Sequence, residues 1–176
     1  KEAYNNGRII VFIEPIALYM TKDLYKAKDG KWEFIYPKLN DESPIGEFKS
    51  YGNGRLLTIL TYGNGLYLSL QAQKDIEKKL GKKIKIIDLM WISDINYETL
   101  LKEISPCKKI LIVDECRRSG CHGEGILTNL ILKSKTSLNI DLHAAEDSFI
   151  SIGNSATATL PSKDSIVQNA LNLVNA

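Results

Sequence analysis

The stretch KILIVDECRRSGCHGEGIL, residues 109–127, decides the fold. It begins with an apolar, β-branched run, Ile110–Val113, which is typical of a buried strand. Charged residues and a glycine-rich turn follow, and a second apolar pattern begins at Ile126. This order predicts a buried strand, a charged loop and a helix. In open α/β sheets, ligands and partners bind beyond the carboxyl ends of the strands, so the loop is the first candidate site.

Strand-like and helix-like patterns alternate on both sides of this stretch. Strands are predicted at Leu56–Leu60, Ile84–Leu89, from Ile110, and at Leu138–Leu142. Helices are predicted after Asn64 as N-cap and up to Gly81, at Asn96–Ile104, at Gly123–Lys133, and at Asp164–Val174 after Ser162 as N-cap. Such alternation is typical of βαβ units. We therefore expect a three-layer α/β/α fold with a mostly parallel sheet of about five strands.

The first third of the chain has a different character. Arg8–Ile13 is a short apolar run that predicts a buried strand, which Pro15 ends. Residues 21–50 show no sustained periodicity but contain aromatic residues such as Trp32, which predicts a connector packed on a surface. The expected organisation is therefore the end of one domain at 1–20, a connector at 21–50 and an α/β domain at 51–176.

Composition excludes several classes of protein. The 176 residues are 44% hydrophobic and 25% charged, which is ordinary for a globular domain. The net charge of +2 is small and the lysines are scattered, so the sequence predicts no basic surface for nucleic acid or an anionic membrane. The local cluster of Lys82, Lys83 and Lys85 indicates a solvated turn. No apolar run approaches the roughly 20 residues of a membrane span, and no signal peptide is evident. Three cysteines argue against a disulfide framework, so a cytoplasmic location is expected.

Two motifs could carry chemistry. Cys116, Cys121 and His122 lie close together, but a zinc site needs a fourth ligand, and the spacing is not that of a CxxC redox pair. Neighbouring arginines could lower a thiol pKa, although incidental thiols are the better interpretation. Gly63-x-Gly65 sits between a strand and a helix, as a dinucleotide fingerprint would, yet the third glycine is missing. A tight strand-to-helix turn explains it better.

The remaining polar residues of the loop do not form a recognisable catalytic set. We expect them to form ion pairs that fix the loop or a subunit contact: Glu115, Arg117, Arg118, His122 and Glu124. No nucleophile and orienting carboxylate can be assigned around His122. The chain also has no P-loop, HExxH, GxSxG or Gly-Asp-Gly magnesium motif. We therefore predict no catalytic, cofactor-binding or metal-binding residues in this chain.

Five stretches in order resemble the C-terminal domain of the transketolase-like thiamine diphosphate enzymes. They are residues 13–19, 57–63, 87–92, 113–120 together with Glu124, and 152–161. The sequences of these stretches are most similar to the β part of the 2-oxoacid dehydrogenase first component, in the branched-chain type where α and β parts can be fused. Met90 and Asp94 depart from the family's usual Arg and Pro, and Cys121-His122 departs from its usual glycine.

The resemblance implies a function for the parent enzyme. That enzyme would decarboxylate a 2-oxoacid oxidatively and pass the acyl group to a lipoyl arm, using thiamine diphosphate and Mg²⁺. The domains that bind this cofactor are not in this chain. What remains would serve assembly of a homodimer or an α/β complex, shape the approach to the active site, and help dock the dihydrolipoyl acyltransferase core.

Two other functions stay open from the sequence. A transketolase-type ketol transferase would use Arg117, Arg118 and His122 to hold sugar phosphates. A stand-alone flavodoxin-like module would use Cys116 and Cys121 for redox chemistry or interaction.

Overall fold

The computed structural model describes residues 1–38 and 41–176, which form a five-stranded sheet between two layers of helices. The strands are β1 Lys49–Tyr51, β2 Thr58–Thr61, β3 Lys85–Asp88, β4 Lys109–Arg117 and β5 Asn139–Ala145. The helices are α1 Glu2–Asn5, α2 Asn64–Leu80, α3 Tyr97–Ile104, α4 His122–Lys133 and α5 Lys163–Asn175. Two short 3-10 helices span Ile16–Leu18 and Gly153–Ala158.

The sheet has the order β1-β3-β2-β4-β5. Strands β2 to β5 are parallel to one another, and β1 pairs antiparallel with β3, which places Lys49 opposite Asp88. Parallel neighbours need crossover connections, and α2, α3 and α4 supply them. The predicted three-layer α/β/α fold with a mostly parallel, five-stranded sheet is confirmed.

Both faces of the sheet are buried. Ile59, Leu111 and Val113 face a cluster formed with α2 and α5, whereas Leu60 and Ile112 face a second cluster with α3 and α4. Successive side chains on a strand point to opposite faces, so a strand covered on both sides must be apolar throughout. This explains why the strands are continuous apolar runs and not alternating patterns.

The helix ends follow local chemistry, with one correction. Gly81 adopts the left-handed conformation (φ 63°) and ends α2 as predicted. The prediction of Asn64 as N-cap is wrong, because Gly63 is the N-cap residue and Asn64 lies in the first turn with its side chain directed elsewhere. Asn96 caps α3 by accepting from Thr99 N at 3.1 Å, and Ser162 caps α5 in a capping box.

Strand β4 is longer than the sequence indicates. It continues through the charged residues to Arg117, which pairs with Ala145 on β5 after an irregularity that follows Val113. Arg118 N then donates to Ala145 O at 2.9 Å. The charged loop predicted after Val113 is therefore largely the end of a strand, because backbone pairing with β5 overrides the polarity of the side chains.

The N-terminal segment forms no strand. Ile9 and Val11 are 98% and 81% exposed, and the described part of the chain offers Arg8–Ile13 no strand to pair with. The prediction of a buried strand there is wrong for this chain. The segment lies along the carboxyl edge of the sheet, where Arg8 Nη1 is 3.1 Å from Asp94 Oδ1.

The following segment lies against α2. Tyr67 Oη donates to Asp23 O at 2.9 Å, Gln71 Nε2 donates to Leu24 O at 2.7 Å, and the rings of Trp32 and Tyr67 meet edge-to-face at 5.0 Å. Residues 39 and 40 of the predicted connector lie outside the described residues. The last residues of that connector belong to β1, which the sequence did not indicate.

In the described ranges, no helix combines the length and the apolar character needed to cross a bilayer.

Candidate functional site

The candidate site is the crevice between the carboxyl ends of β2 and β4. The chain leaves β2 through α2 toward β3 on one side, and it leaves β4 through α4 toward β5 on the other. Adjacent strands whose connections run in opposite directions form the topological switch point, which is where α/β sheets bind ligands. The starts of α2 and α4 both lie at this crevice, so the residues that follow β2 and β4 decide what it can hold.

A buried carboxylate at the end of β4 organises the crevice. Asp114 is 1% exposed, and its two oxygens accept from Cys116 N at 2.9 Å and from Gly123 N at 2.8 Å. Tyr62, which directly follows β2, lies close enough to this carboxylate for the two groups to interact electrostatically. Burial and the Asp114 carboxylate raise the pKa of Tyr62. Asp114 thus ties β4 to the start of α4 and lies close to the residue that follows β2.

A second carboxylate crosses the crevice. Glu115 Oε1 accepts from Asn64 Nδ2 at 2.5 Å, which joins β4 to the first turn of α2. Burial raises the pKa of Glu115, and the Asn64 hydrogen bond opposes part of that rise. The two helix starts are therefore linked through side chains of adjacent strand ends.

His122 begins α4 at the side of this network. Its ring stands edge-on to Tyr62, with ring centroids 6.1 Å apart. Its Nε2 atom is buried and has no hydrogen-bond partner among the described residues. A general base needs a hydrogen bond to the group that it deprotonates. In the part of the chain that the structure describes, no nucleophile is hydrogen-bonded to this nitrogen.

The two thiols of the site are not activated. Cys121 is buried and Cys116 is exposed. Burial raises the pKa of both thiols, and the neighbouring Asp114 carboxylate adds to the rise. Arg118 directs its Nη1 to Leu142 O at 2.8 Å, and the main influences on both thiols raise their pKa values. The raised pKa values favour the interpretation of both thiols as incidental and not as a redox pair.

Hydrogen bonds to the backbone hold the loop that was expected to be fixed by ion pairs. The six ion pairs found within residues 1–38 and 41–176 do not include Glu115, Arg117, Arg118, His122 or Glu124. Glu124 Oε2 instead accepts from Gly120 N at 2.8 Å. The Asp147 carboxylate accepts from Ser119 N at 2.7 Å. Backbone groups at a strand end and a helix start lack partners, so nearby side chains satisfy them first. A role for these five residues at a subunit contact stays a prediction.

The sequence did not single out the residues that organise the crevice. Tyr62, Asn64 and Asp114 come together only because β2 and β4 are neighbours in the sheet. Asn64 and its partner Glu115 are 51 residues apart in the chain. The available signal was the polar residue directly after each buried strand. Without the strand order, that signal does not indicate which strand ends meet.

The crevice does not fit thiamine diphosphate or Mg²⁺. Asp114 and Glu115 place two carboxylates in the crevice, which would repel a diphosphate, and Gly123 N at the start of α4 is already bonded to Asp114. A methyl group on Gly65 would lie 2.2 Å from Thr61 Oγ1, so α2 is already packed directly onto β2. Among the described residues, no three His, Cys, Asp or Glu side chains are grouped as a metal ion requires.

The crevice is thus the switch point of a mostly parallel sheet, and the chain's own side chains cross it. The family model for the transketolase C-terminal domain matches residues 46–155. The chain belongs to that family. The matched range starts just before β1 and ends in the segment after β5, so it contains every strand and the whole crevice.

Curated relatives include the pyruvate dehydrogenase E1 component subunit beta of Staphylococcus aureus, which is 24% identical over 145 residues and matches 77% of this chain. The corresponding subunit of Staphylococcus epidermidis is 25% identical over the same length. The chain spans only 44% of the length of each of these relatives.

Solved structures agree on the fold. A split-gene transketolase, described as an inactive beta4 tetramer, superposes with a TM-score of 0.64 at 18% identity, covering 76% of this chain and 44% of that one. A 2-oxoglutarate:ferredoxin oxidoreductase from Magnetococcus marinus superposes with a TM-score of 0.50 at 15% identity, covering 73% of this chain and 20% of that one.

Proposed function

We propose that this chain is the C-terminal part of a 2-oxoacid dehydrogenase first component, in its β subunit or fused β part. The observation that carries the proposal is the similarity to pyruvate dehydrogenase E1 beta subunits over 77% of the chain. The parent enzyme would decarboxylate pyruvate or a branched-chain 2-oxoacid such as 2-oxoisovalerate and transfer the acyl group to a lipoyl disulfide. We place it in the cytoplasm.

Within that enzyme, the domain would assemble subunits and shape the approach to the active site, without catalysis of its own. The two carboxylates and the tyrosine that fill the crevice support this role, because they leave no site for a diphosphate. Thiamine diphosphate and Mg²⁺ would be bound by other domains of the complete enzyme. The dihydrolipoyl acyltransferase core would be the further partner.

The exposed N-terminal segment supports a contact with the rest of the parent enzyme. Phe12, Ile13 and Ile16 are 70–81% exposed, and a contiguous apolar strip of this kind marks an interaction surface. Pro15 passes over the β2–α2 turn and lies 3.5 Å from where a Cβ on Gly63 would be. We propose that residues 1–20 belong to a preceding domain, that 21–50 connect the two, and that the C-terminal domain occupies 51–176.

We further propose that the chain self-associates about a two-fold axis, with Glu115, Arg117, Arg118, His122 and Glu124 at or near the contact. The exposed positions of Arg117, Arg118 and Glu124 leave them available to a partner. Sedimentation velocity over a range of concentrations tests this. A dimer should form as the concentration rises, and R117E/R118E should weaken it. A strictly monomeric chain at high concentration would contradict it.

The proposed reaction is tested with the complete gene product and its companion subunit. With thiamine diphosphate and Mg²⁺, decarboxylation of a 2-oxoacid should reduce an artificial electron acceptor, and a comparison of pyruvate with 2-oxoisovalerate gives the substrate. A second candidate, a transketolase-type ketol transferase, is favoured by the superposition on the split-gene transketolase. Ketol transfer between sugar phosphates, without any 2-oxoacid activity, would reject the dehydrogenase and establish this alternative.

A further inference from the structure

The amino edge of the sheet, opposite the crevice, carries two adjoining basic clefts. One cleft, of about 460 Å³, is lined by Lys74, Glu77, Lys78, Gly81, Lys82 and Lys83. The other, of about 440 Å³, is lined by Asn53, Gly54, Arg55, Leu56, Lys82 and Lys83. Because Lys82 and Lys83 line both, the clefts form one continuous basic groove at the end of α2. We propose that this basic groove docks an acidic segment of a partner polypeptide.

The charge of the groove is not typical of the chain. Five basic residues and one acidic residue line it, whereas the whole chain has 23 Lys and Arg against 21 Asp and Glu. The remainder of the molecule is therefore net negative. A positive groove on such a background concentrates acidic groups from solution and orients an acidic partner as it approaches.

The single carboxylate of the groove holds its walls in place. Glu77 accepts from Lys83 Nζ at 2.7 Å, from Ile84 N at 3.2 Å and from Gln73 Nε2 at 3.1 Å. These bonds fix the turn that carries Lys82 against α2. In the described ranges, the ion pairs do not include Arg55, Lys78 or Lys82, so their charges face solvent without a carboxylate at contact distance.

Helix capping does not account for the whole groove. Lys78 and Lys79 lie in the last turn of α2, where cations interact favourably with the helix dipole. Arg55 belongs to the segment between β1 and β2 and does not lie on α2, yet it faces the same groove. Two separate segments therefore converge on one positive surface, which the dipole does not require.

The shape of the groove favours a polypeptide over nucleic acid. Both clefts are open to solvent and meet at Lys82 and Lys83, so a chain that lies across these lysines can present carboxylates to both clefts. Among the described residues that line the clefts, none is aromatic, and the groove thus lacks the stacking platform on which single-stranded bases bind.

The test is fluorescence anisotropy of a labelled oligoglutamate peptide titrated with the 176-residue chain. The variant K78E/K82E reverses two charges in the groove. Its matched control, K133E/K135E, reverses two exposed lysines at the end of α4. We expect saturable binding that weakens with added salt, at least about tenfold weaker binding by K78E/K82E, and little change in the control. Circular dichroism verifies that both variants are folded.

Three results would overturn the proposal. The first is no saturable binding of the peptide by the wild-type chain. The second is an equal loss of affinity in both variants, because the attraction would then follow net charge and not the groove. The third is tighter binding of an oligothymidylate with the same number of charges, which would assign the groove to nucleic acid. The proposal is independent of the dehydrogenase reaction, so it can fail while that reaction stands.

Discussion

Asn64 and Glu115 are joined by a hydrogen bond of 2.5 Å across the crevice between β2 and β4. Asn64 lies in the first turn of α2, and Glu115 lies on β4, with the buried Asp114 immediately before it. The bond thus connects two elements that belong to opposite halves of the switch point. A crevice that could accept a ligand in another α/β domain is occupied here by the chain's own polar side chains.

Removal of the amide from this pair should destabilise the domain. In N64A the half-buried Glu115 carboxylate loses its donor, which costs about 1–3 kcal/mol of unfolding free energy because the acceptor is a charged group. Urea denaturation measures the loss. The control N129A removes an amide that donates to Gly125 O within α4, near the protein surface. A loss in N129A as large as that in N64A would show that the crevice bond is not special.

Asp88 should make stability depend on pH. Burial raises the pKa of this carboxyl to about 6, although Lys49 opposes the rise. The folded state then binds the proton more tightly than the unfolded state, so stability is highest below about pH 4 for this group and falls as the pH rises toward about 6. D88N should remove that slope and raise stability at pH 7 by about 1 kcal/mol, allowing for partial screening by water.

The control for D88N is D75N. The hydrogen bond from Lys163 lowers the pKa of Asp75, so the pH dependence of its contribution to stability has the opposite sign to that of Asp88. The stabilisation from Asp75 is present above the unfolded pKa and is lost as the pH falls. Thermal unfolding across pH 4 to 7 should therefore show a changed pH slope in D88N and little change in D75N, because the contribution of Asp75 is lost only below about pH 4. An unchanged pH slope in D88N would contradict the assignment of the slope to Asp88.

Two glycines of α4 should respond to alanine with opposite signs. A Cβ on Gly123 would lie 2.6 Å from Leu142 Cδ1 and 3.2 Å from Asp114 Oδ2, so G123A should cost about 1–3 kcal/mol through overpacking. A Cβ on Gly125 would meet nothing within 4 Å, so G125A should stabilise the helix by about 0.5–1 kcal/mol. Chemical denaturation of both variants checks this, and a stabilising G123A would show that α4 does not pack so closely on β4 and β5.

The fold could be predicted from the sequence because burial on both faces forces each parallel strand to be a continuous apolar run. Ile110–Val113 is such a run, and its strand was found. The extension of β4 through its polar residues to Arg117 was not predicted, because the pairing of Arg117 with Ala145 depends on a neighbouring strand and not on the local sequence pattern. The apolar run at Arg8–Ile13 was wrongly predicted to be a strand for the same reason, because a β-branched segment becomes a strand only where it has a partner strand.

The position of the candidate site could be predicted from the sequence, but the full set of residues that form it could not. The charged stretch after Val113 was predicted to border a functional crevice. The positions of Tyr62 and Asn64 beside Asp114 and Glu115 could not be predicted, because they depend on β2 lying next to β4. Ion pairs were expected where backbone hydrogen bonds form, since side-chain charge is visible in a sequence and unpaired backbone groups are not.

We propose that this domain assembles a thiamine diphosphate enzyme without binding the cofactor itself. Isothermal titration calorimetry of the 176-residue chain with thiamine diphosphate and Mg²⁺ tests it most directly. Because Asp114 and Glu115 fill the crevice with negative charge, we predict only heats of dilution. Tight binding with one molecule of thiamine diphosphate per chain would contradict the account.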